Sequence, residues 1–172
     1  MAIVIGIDPG SRVTGFGVLE IQGNAVRHVS HGIIRLPEEK ELSQRLAVLA
    51  QSFRELFTRY KPSEVVIEKV FLGKNPDSAF KLGHARGVAM AESALAGAIV
   101  YEYATRLIKK GVAGKGSAGK EEVQLMIQRL LQLPKIDHLD ASDALALAYY
   151  HSSQRQVLRR VERAKMREGE LL

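Results

Sequence analysis

The sequence predicts an α/β domain whose five-stranded mixed sheet has an antiparallel meander of strands 1–3, then parallel strands 4 and 5, with helices on both faces. The first observation is the opening run, residues 2–10, where apolar side chains occupy both strand faces up to Asp8, as in a central strand of a covered sheet. The second is a similar apolar strand, residues 63–68, which follows a helix and should therefore run parallel to the first.

Length and composition are those of one soluble globular domain, with 172 residues, 46% of them hydrophobic and 26% charged. The absence of cysteine excludes disulfides and thiolate metal sites. No apolar run approaches the roughly 18 residues of a membrane span, so we expect a cytoplasmic protein without a membrane partner. The net charge of +6 is compatible with a nucleic-acid partner and equally with a basic protein that binds no polyanion.

The first half of the chain supplies the meander and its cover. Residues 13–21 and 25–36 are predicted to be strands 2 and 3, because residues 22–24 have the composition of a hairpin turn. Apolar residues at three- and four-residue spacing predict an amphipathic helix at residues 41–60, which would lie on the sheet. Strand 4 comes next.

The second half alternates helices with one more strand. Small residues recur in the first of these helices, which indicates that another helix or a second copy of the chain approaches it closely. The domain is predicted to end at residue 153, and the basic residues 154–172 are predicted to form a frayed helix or mobile tail. The predicted elements are a helix at 76–97 capped by Asn75, a strand at 98–103, a helical turn at 106–110, a loop at 111–119, a helix through 123–131 with Ser117 as candidate cap, and a helix at 138–153.

Two carboxylates in the last helix are the most informative residues. Asp140 and Asp143 are three residues apart, so both lie on one helix face. Their neighbours are leucines and alanines, which predicts a largely buried helix. Burying two unneutralised carboxylates together costs several kcal/mol unless a cation lies between them.

Asp8 and Glu68 extend this pair to four acids, because each ends an apolar strand at the sheet edge where α/β proteins place their chemistry. Carboxylate oxygens favour Mg²⁺ or Mn²⁺, and two such ions about 4 Å apart would hold a scissile phosphate. The alternatives are that Asp8 only opens the turn at Pro9-Gly10, and that the four acids are unrelated surface residues.

Two other segments resemble phosphate-binding loops. Residues 114–121 fit the P-loop spacing, but Glu121 stands where Ser or Thr is needed and no strand precedes the segment. It is interpreted as a flexible basic loop that meets phosphates, or as a plain solvated loop. Residues 8–15 resemble the first phosphate loop of sugar kinases and actin-like ATPases, which need two lobes around the nucleotide; this chain has room for one.

Five motifs in order resemble the RuvC family of Holliday-junction resolvases. The resemblance implies a ribonuclease-H-like fold and a homodimeric endonuclease that uses Mg²⁺ to nick four-way DNA junctions symmetrically, in cooperation with the RuvA-RuvB branch-migration complex. The motifs are GIDPGSRVTG (6–15), IEKVF (67–71), KNPDSA (74–79), KLGHARG (81–87) and DASDALA (140–146).

The resemblance also implies roles for individual residues. It makes the four acids catalytic metal ligands and Phe71 an aromatic that meets junction bases, although an aromatic after a strand more often lies in the core. The small-residue helix is our candidate for the dimer interface. The further residues are Lys74, Lys109, Lys115 and Lys120 for DNA binding, and Gly83 and Gly87 for the dimer interface.

Two other functions fit the same fold. One is a junction-binding or scaffold module without catalysis, which would bind DNA regardless of metal. The other is a related ribonuclease-H-like enzyme that acts on RNA. A panel of nucleic-acid substrates with and without Mg²⁺ separates the three.

Overall fold

The structure is a computed structural model that describes residues 1–69 and 76–169. Strands and helices follow one another as β1 (Ala2–Asp8), β2 (Val13–Gln22), β3 (Ala25–Arg35), α1 (Leu42–Tyr60), β4 (Glu64–Lys69), α2 (Pro76–Leu95), β5 (Ile99–Ala104), α3 (Thr105–Ala113), α4 (Lys120–Leu130) and α5 (Leu139–Gly169).

The strands form one sheet in the order β3-β2-β1-β4-β5. β1, β2 and β3 are an antiparallel meander, whereas β4 is parallel to both β1 and β5, which confirms the predicted mixed sheet. The registers place Ile7 beside Ile67 and Glu68 beside Tyr103. The carboxyl ends of β1 and β4 therefore lie next to each other.

Two hydrophobic cores cover the two faces of the sheet. Ile5 and Ile67 pack on the face covered by α1 and α2. Val4 and Val66 belong to the opposite core, which α3, α4 and α5 cover. Since successive side chains of a strand point to opposite faces, Glu64, Glu68 and Asp8 lie on the same face as Val4 and Val66, under α5.

Several boundaries differ from the prediction. The predicted turn at 106–110 is the nine-residue helix α3, because Val112 is buried and Gly111 lets the helix pass Tyr150 closely, where a Cβ would lie 2.3 Å from Cδ2 of the tyrosine. Gly119, not Ser117, is the N-cap of α4.

The last helix is also longer than predicted. α5 continues to Gly169 instead of ending near Ser153. Arg155 was counted in the basic tail, yet it is buried. Whether the domain ends at residue 153 stays a prediction. In the part of the chain that the structure describes, no helix combines the length and apolarity needed to cross a membrane.

Candidate active site

Asp8 is held at the end of β1 by a closed turn. The hydroxyl of the buried Thr14 accepts a hydrogen bond from the Gly10 N–H at 3.2 Å and donates one to the Gly10 carbonyl at 3.3 Å. These bonds satisfy the backbone of the Pro-Gly turn and fix the direction in which the chain leaves the strand. The carboxylate of Asp8 is thereby directed to one place at the sheet edge.

Glycines let α5 lie directly on the sheet beside Asp8. A Cβ at Gly6 would lie 1.9 Å from the carbonyl oxygen of Ala144, and one at Gly15 would lie 2.0 Å from that of Asp140. Any side chain there would push the helix away from β1 and β2. The close approach explains how the first turns of α5 reach the strand ends. This packing role of Gly6 and Gly15 could not be predicted from the sequence.

A cavity of about 120 Å³ opens at this edge of the sheet. It contains three of the four predicted acids, and Asp140 lies outside it, one helical turn before Asp143. Apolar residues of α3, α4 and α5 complete its lining. The polar and charged lining residues are Asp8, Glu68, Thr105, Lys109, Lys120 and Asp143.

The acids strongly disfavour a charge on Asp8. Burial raises the pKa of Asp8 to about 8, and the negative charges of Glu68, Asp143 and Asp140 act in the same direction. Lys120 opposes this shift without cancelling it. Near neutral pH this carboxyl therefore retains a proton unless a further cation compensates its charge.

Two neighbouring side chains contact the other acids. The Lys120 ammonium lies 2.8 Å from Oδ2 of Asp143, and this hydrogen bond raises the pKa of the lysine. The Thr105 hydroxyl donates to Oε1 of Glu68. Thr105 was missed in the sequence, where only its position directly after strand 5 pointed to the site.

The donor set fits a hard divalent cation. All four acids offer oxygen ligands, which Mg²⁺ and Mn²⁺ prefer, and Lys120 only partly offsets the effects that raise the pKa of Asp8. Over residues 1–69 and 76–169, no three ligating side chains are already arranged around one metal position. In this structure Lys120 forms an ion pair with Asp143, and Thr105 donates a hydrogen bond to Glu68, so two of the acids already have a partner from the chain.

The predicted basic residues occupy different places. Lys109 and Lys120 line the cavity. Lys115 lies outside it, where its ammonium is 3.1 Å from Oε1 of Glu122 in an exposed ion pair. Phe71 and Lys74 fall outside the described residues. The segment with P-loop spacing connects α3 to α4, so it has no preceding strand, as the sequence indicated.

The predicted interface glycines lie on the other side of the molecule. Gly83 and Gly87 are exposed on α2, and a Cβ at either would meet nothing within 4 Å. They line an open groove of about 500 Å³ with Phe80, which is 69% exposed. An exposed aromatic beside an open apolar groove is typical of a surface that binds a partner.

Comparisons with known proteins agree in pointing to one family. The family described as "Crossover junction endodeoxyribonuclease RuvC" matches residues 4–151. A relative of that name from Bdellovibrio bacteriovorus is 51% identical over 162 residues, 94% of this chain and 96% of the relative. One from Legionella pneumophila is 46% identical over 158 residues, 92% of this chain and 91% of the relative.

Solved structures extend the comparison to three dimensions. Thermus thermophilus RuvC in complex with Holliday junction substrate superposes with a TM-score of 0.82 at 30% identity, covering 88% of this chain and 93% of that one. The yeast mitochondrial Holliday junction resolvase has a TM-score of 0.67 at 11% identity, covering 91% and 80%, and shows a shared fold.

Proposed function

Because the chain belongs to the RuvC family of crossover junction endodeoxyribonucleases, we propose that its four-carboxylate cluster is the catalytic centre of junction cleavage. The protein is an endodeoxyribonuclease that resolves Holliday junctions. The observation that carries the assignment of the centre is the cavity where Asp8, Glu68 and Asp143 meet, with a raised pKa at Asp8 that Lys120 only partly offsets.

RuvC enzymes are metal-dependent nucleases. Asp8, Glu68, Asp140 and Asp143 would hold Mg²⁺, for which Mn²⁺ substitutes, and the number of acids suits two ions. When bound, such ions activate a water for attack on the phosphorus and stabilise the leaving oxygen. The cleavage leaves 5′-phosphate and 3′-hydroxyl ends during recombination and repair.

The chain's own residues prepare this chemistry. Asp8, whose pKa is raised to about 8 by burial and by the surrounding acids, would release its proton when it holds a cation. Thr105 orients Glu68 through its hydrogen bond. Lys120 supplies a positive charge beside Asp143, where it offsets negative charge on a bound phosphate.

DNA contacts are assigned to the surfaces around the cavity. Lys109 and Lys120 bind the phosphates nearest the scissile bond, and Lys115 in the following loop binds a more distant phosphate. Phe71 stacks on an unpaired base of the junction, and Lys74 contacts the backbone beside it.

A homodimer suits the near two-fold symmetry of a four-way junction, because paired nicks need two equivalent sites. The groove around Gly83 and Gly87, with Phe80 exposed at its side, is the proposed interface. Gly87→Arg places a long cation there without disturbing the monomer, since nothing lies within 4 Å of a Cβ at that position. We expect monomers in sedimentation experiments and loss of paired nicking; a variant that remains dimeric would rule out this interface.

We further propose, on the basis of the family resemblance, that the protein cooperates with a RuvA-RuvB branch-migration complex and acts in the cytoplasm. Co-sedimentation of the protein with RuvA and RuvB on a junction tests the first, and fractionation of cells tests the second.

One substrate panel tests the proposed function as a whole. A synthetic four-way junction, a linear duplex and an RNA/DNA hybrid are each incubated with and without Mg²⁺. We expect paired nicks in the junction, only with Mg²⁺. Binding without nicking at any metal concentration would favour the scaffold module, and preferential cleavage of the hybrid would favour an enzyme that acts on RNA.

A further inference from the structure

A buried carboxylate, that of Glu64, lies at the opposite end of the face that carries the active site. Glu64 begins β4, and its Oε2 accepts hydrogen bonds at 2.7 Å from Arg155 Nε and at 2.7 Å from His151 Nε2. Its Oε1 accepts another from Arg155 Nη2 at 2.7 Å. All three side chains are buried. The guanidinium and the carboxylate thus form a two-point contact, which fixes orientation as well as distance.

The contact continues through the imidazole to β5. His151 Nδ1 lies 2.8 Å from the hydroxyl of Tyr103. Because Glu64 is an acceptor, the imidazole proton is assigned to Nε2, and Nδ1 accepts from the tyrosine. Burial raises the pKa of Tyr103 above its usual range, which keeps this hydroxyl a donor. Tyr103 is the register partner of Glu68 on β4.

The spacing of these contacts matches the spacing of the active-site acids. Glu64 and Glu68 are four residues apart on one strand face, or about 13 Å. On α5, Asp143 and His151 are eight residues apart, or about 12 Å. The buried network therefore joins the helix to the strand at one end of this face, and acids of both elements lie at the other end.

Close backbone contacts and a leucine hold α5 against β1 and β2. Ala144 and Asp140 lie against Gly6 and Gly15 through their backbone, and the side chain of Leu145 packs against Gly17. The hydrophobic contact of Leu145 is non-directional. Directional hydrogen bonds are better suited to fix such a helix along its axis and in rotation.

We propose that Glu64, His151 and Arg155 are positioning residues that set the place of α5 on the sheet and thereby hold Asp140 and Asp143 opposite Asp8 and Glu68. They touch neither substrate nor metal. The inference rests on the proposed function of the acid cluster. A substitution in this network, about 12 Å from the acids, should therefore alter cation binding and cleavage although the substituted residue contacts neither the cation nor the DNA.

The first test replaces the network by apolar residues, Glu64→Leu with His151→Leu and Arg155→Met, which leaves no buried charge unpaired. We expect a folded protein with unchanged metal-free junction binding and a single-turnover cleavage rate lowered about 10- to 100-fold, because displacements near 1 Å have effects of that size. Mn²⁺ affinity, measured by calorimetry without DNA, should fall about tenfold, the change expected when groups around a metal are displaced.

The matched control is the Arg54–Glu92 pair between α1 and α2. Arg54 Nε and Nη2 donate hydrogen bonds to the two carboxylate oxygens of Glu92 at 2.9 and 2.7 Å. The pair lies on the face of the sheet away from α5. Arg54→Met with Glu92→Leu should keep the cleavage rate and Mn²⁺ affinity within about twofold of the original protein. Equal losses in this control would show a general effect of stability and overturn the inference.

A milder variant covers the case in which the apolar triple substitution fails to fold. Arg155→Lys keeps the charge but removes the two-point contact. We expect cleavage and Mn²⁺ affinity to fall together by about threefold to tenfold. A folded variant with the original Mn²⁺ affinity would overturn the inference. The calorimetry decides this even if no DNA is cleaved, an outcome that would contradict the proposed function separately.

Discussion

Asp8 and Glu64 are two carboxylates on neighbouring parallel strands, both under α5, and their environments are opposite. Burial and the charges of nearby acids raise the pKa of Asp8 to about 8. Burial also opposes the charge on Glu64, but hydrogen bonds from His151 and Arg155 outweigh it and hold the pKa at about 2. Two side chains donate directly to Glu64, whereas Lys120 offsets the pKa shift of Asp8 only in part. Asp8 lies in the cavity beside Glu68 and Asp143.

The largest expected effect is the decrease in cleavage rate caused by the Asp8→Asn substitution. Amide replacement removes the charge that would hold the cation, so we expect cleavage to fall at least about 1,000-fold, since metal stabilisation contributes several kcal/mol. Junction binding without metal should persist, because it depends on the basic surface. Gel assays of cleavage and binding on the same junction check this. Cleavage within tenfold of the original rate would contradict the assignment of Asp8.

The next effect concerns stability at the other carboxylate. Glu64→Gln leaves Arg155 and His151 buried without their anion, so we expect the free energy of unfolding to fall by about 3 kcal/mol. That corresponds to a decrease in Tm of roughly 6–12 °C for a domain of this size. Glu92→Gln is the control and should lower the free energy of unfolding by less, because the side chain of Arg54 is 60% exposed. Equal decreases in Tm for Glu64→Gln and Glu92→Gln would contradict a special role of the buried network around Glu64.

A stabilising effect is expected when the charge of Asp8 is removed. The folded pKa of Asp8, about 8, lies above its ordinary value of 3.8, so the metal-free protein loses stability as pH rises from about 4 to 8. Asp8→Asn lacks this loss and should be more stable at pH 8 without metal by about 1–3 kcal/mol. Thermal unfolding in a chelator, from pH 5 to 8, measures it. Parallel pH profiles for the two proteins would contradict the raised pKa.

The smallest effect appears in acid and has the opposite sign. The folded pKa of Glu64, about 2, lies below its ordinary value of 4.5, so its ion pair stabilises the fold above pH 4.5. This contribution, of about 1–2 kcal/mol after allowance for solvent, is lost as pH falls from 4.5 towards 2. Urea unfolding of the original protein and Glu64→Gln should show a difference that shrinks over this range. A difference in free energy of unfolding that stays constant from pH 4.5 to 2 would contradict the lowered pKa of Glu64.

Much of the site was predictable from local pattern. Apolar runs ending on Asp8 and Glu68 predicted parallel strands with adjacent carboxyl ends, and the sheet registers confirm that arrangement. The spacing of Asp140 and Asp143 predicted one helix face. These predictions depend on strand alternation and helix periodicity, which act over a few residues and leave a clear pattern in the chain.

Other features were decided only by tertiary structure, because they depend on residues far apart in the sequence. Glu64 and Arg155 are 91 residues apart, so nothing local separated Arg155 from the other basic residues of the predicted tail. Likewise, the close approach at Gly15 depends on the backbone of α5. By itself the sequence determined which acids reach the sheet edge. Packing of α5 decided which carboxylate receives a partner from the chain and which stays available for a cation, because only the fold brings distant charges together.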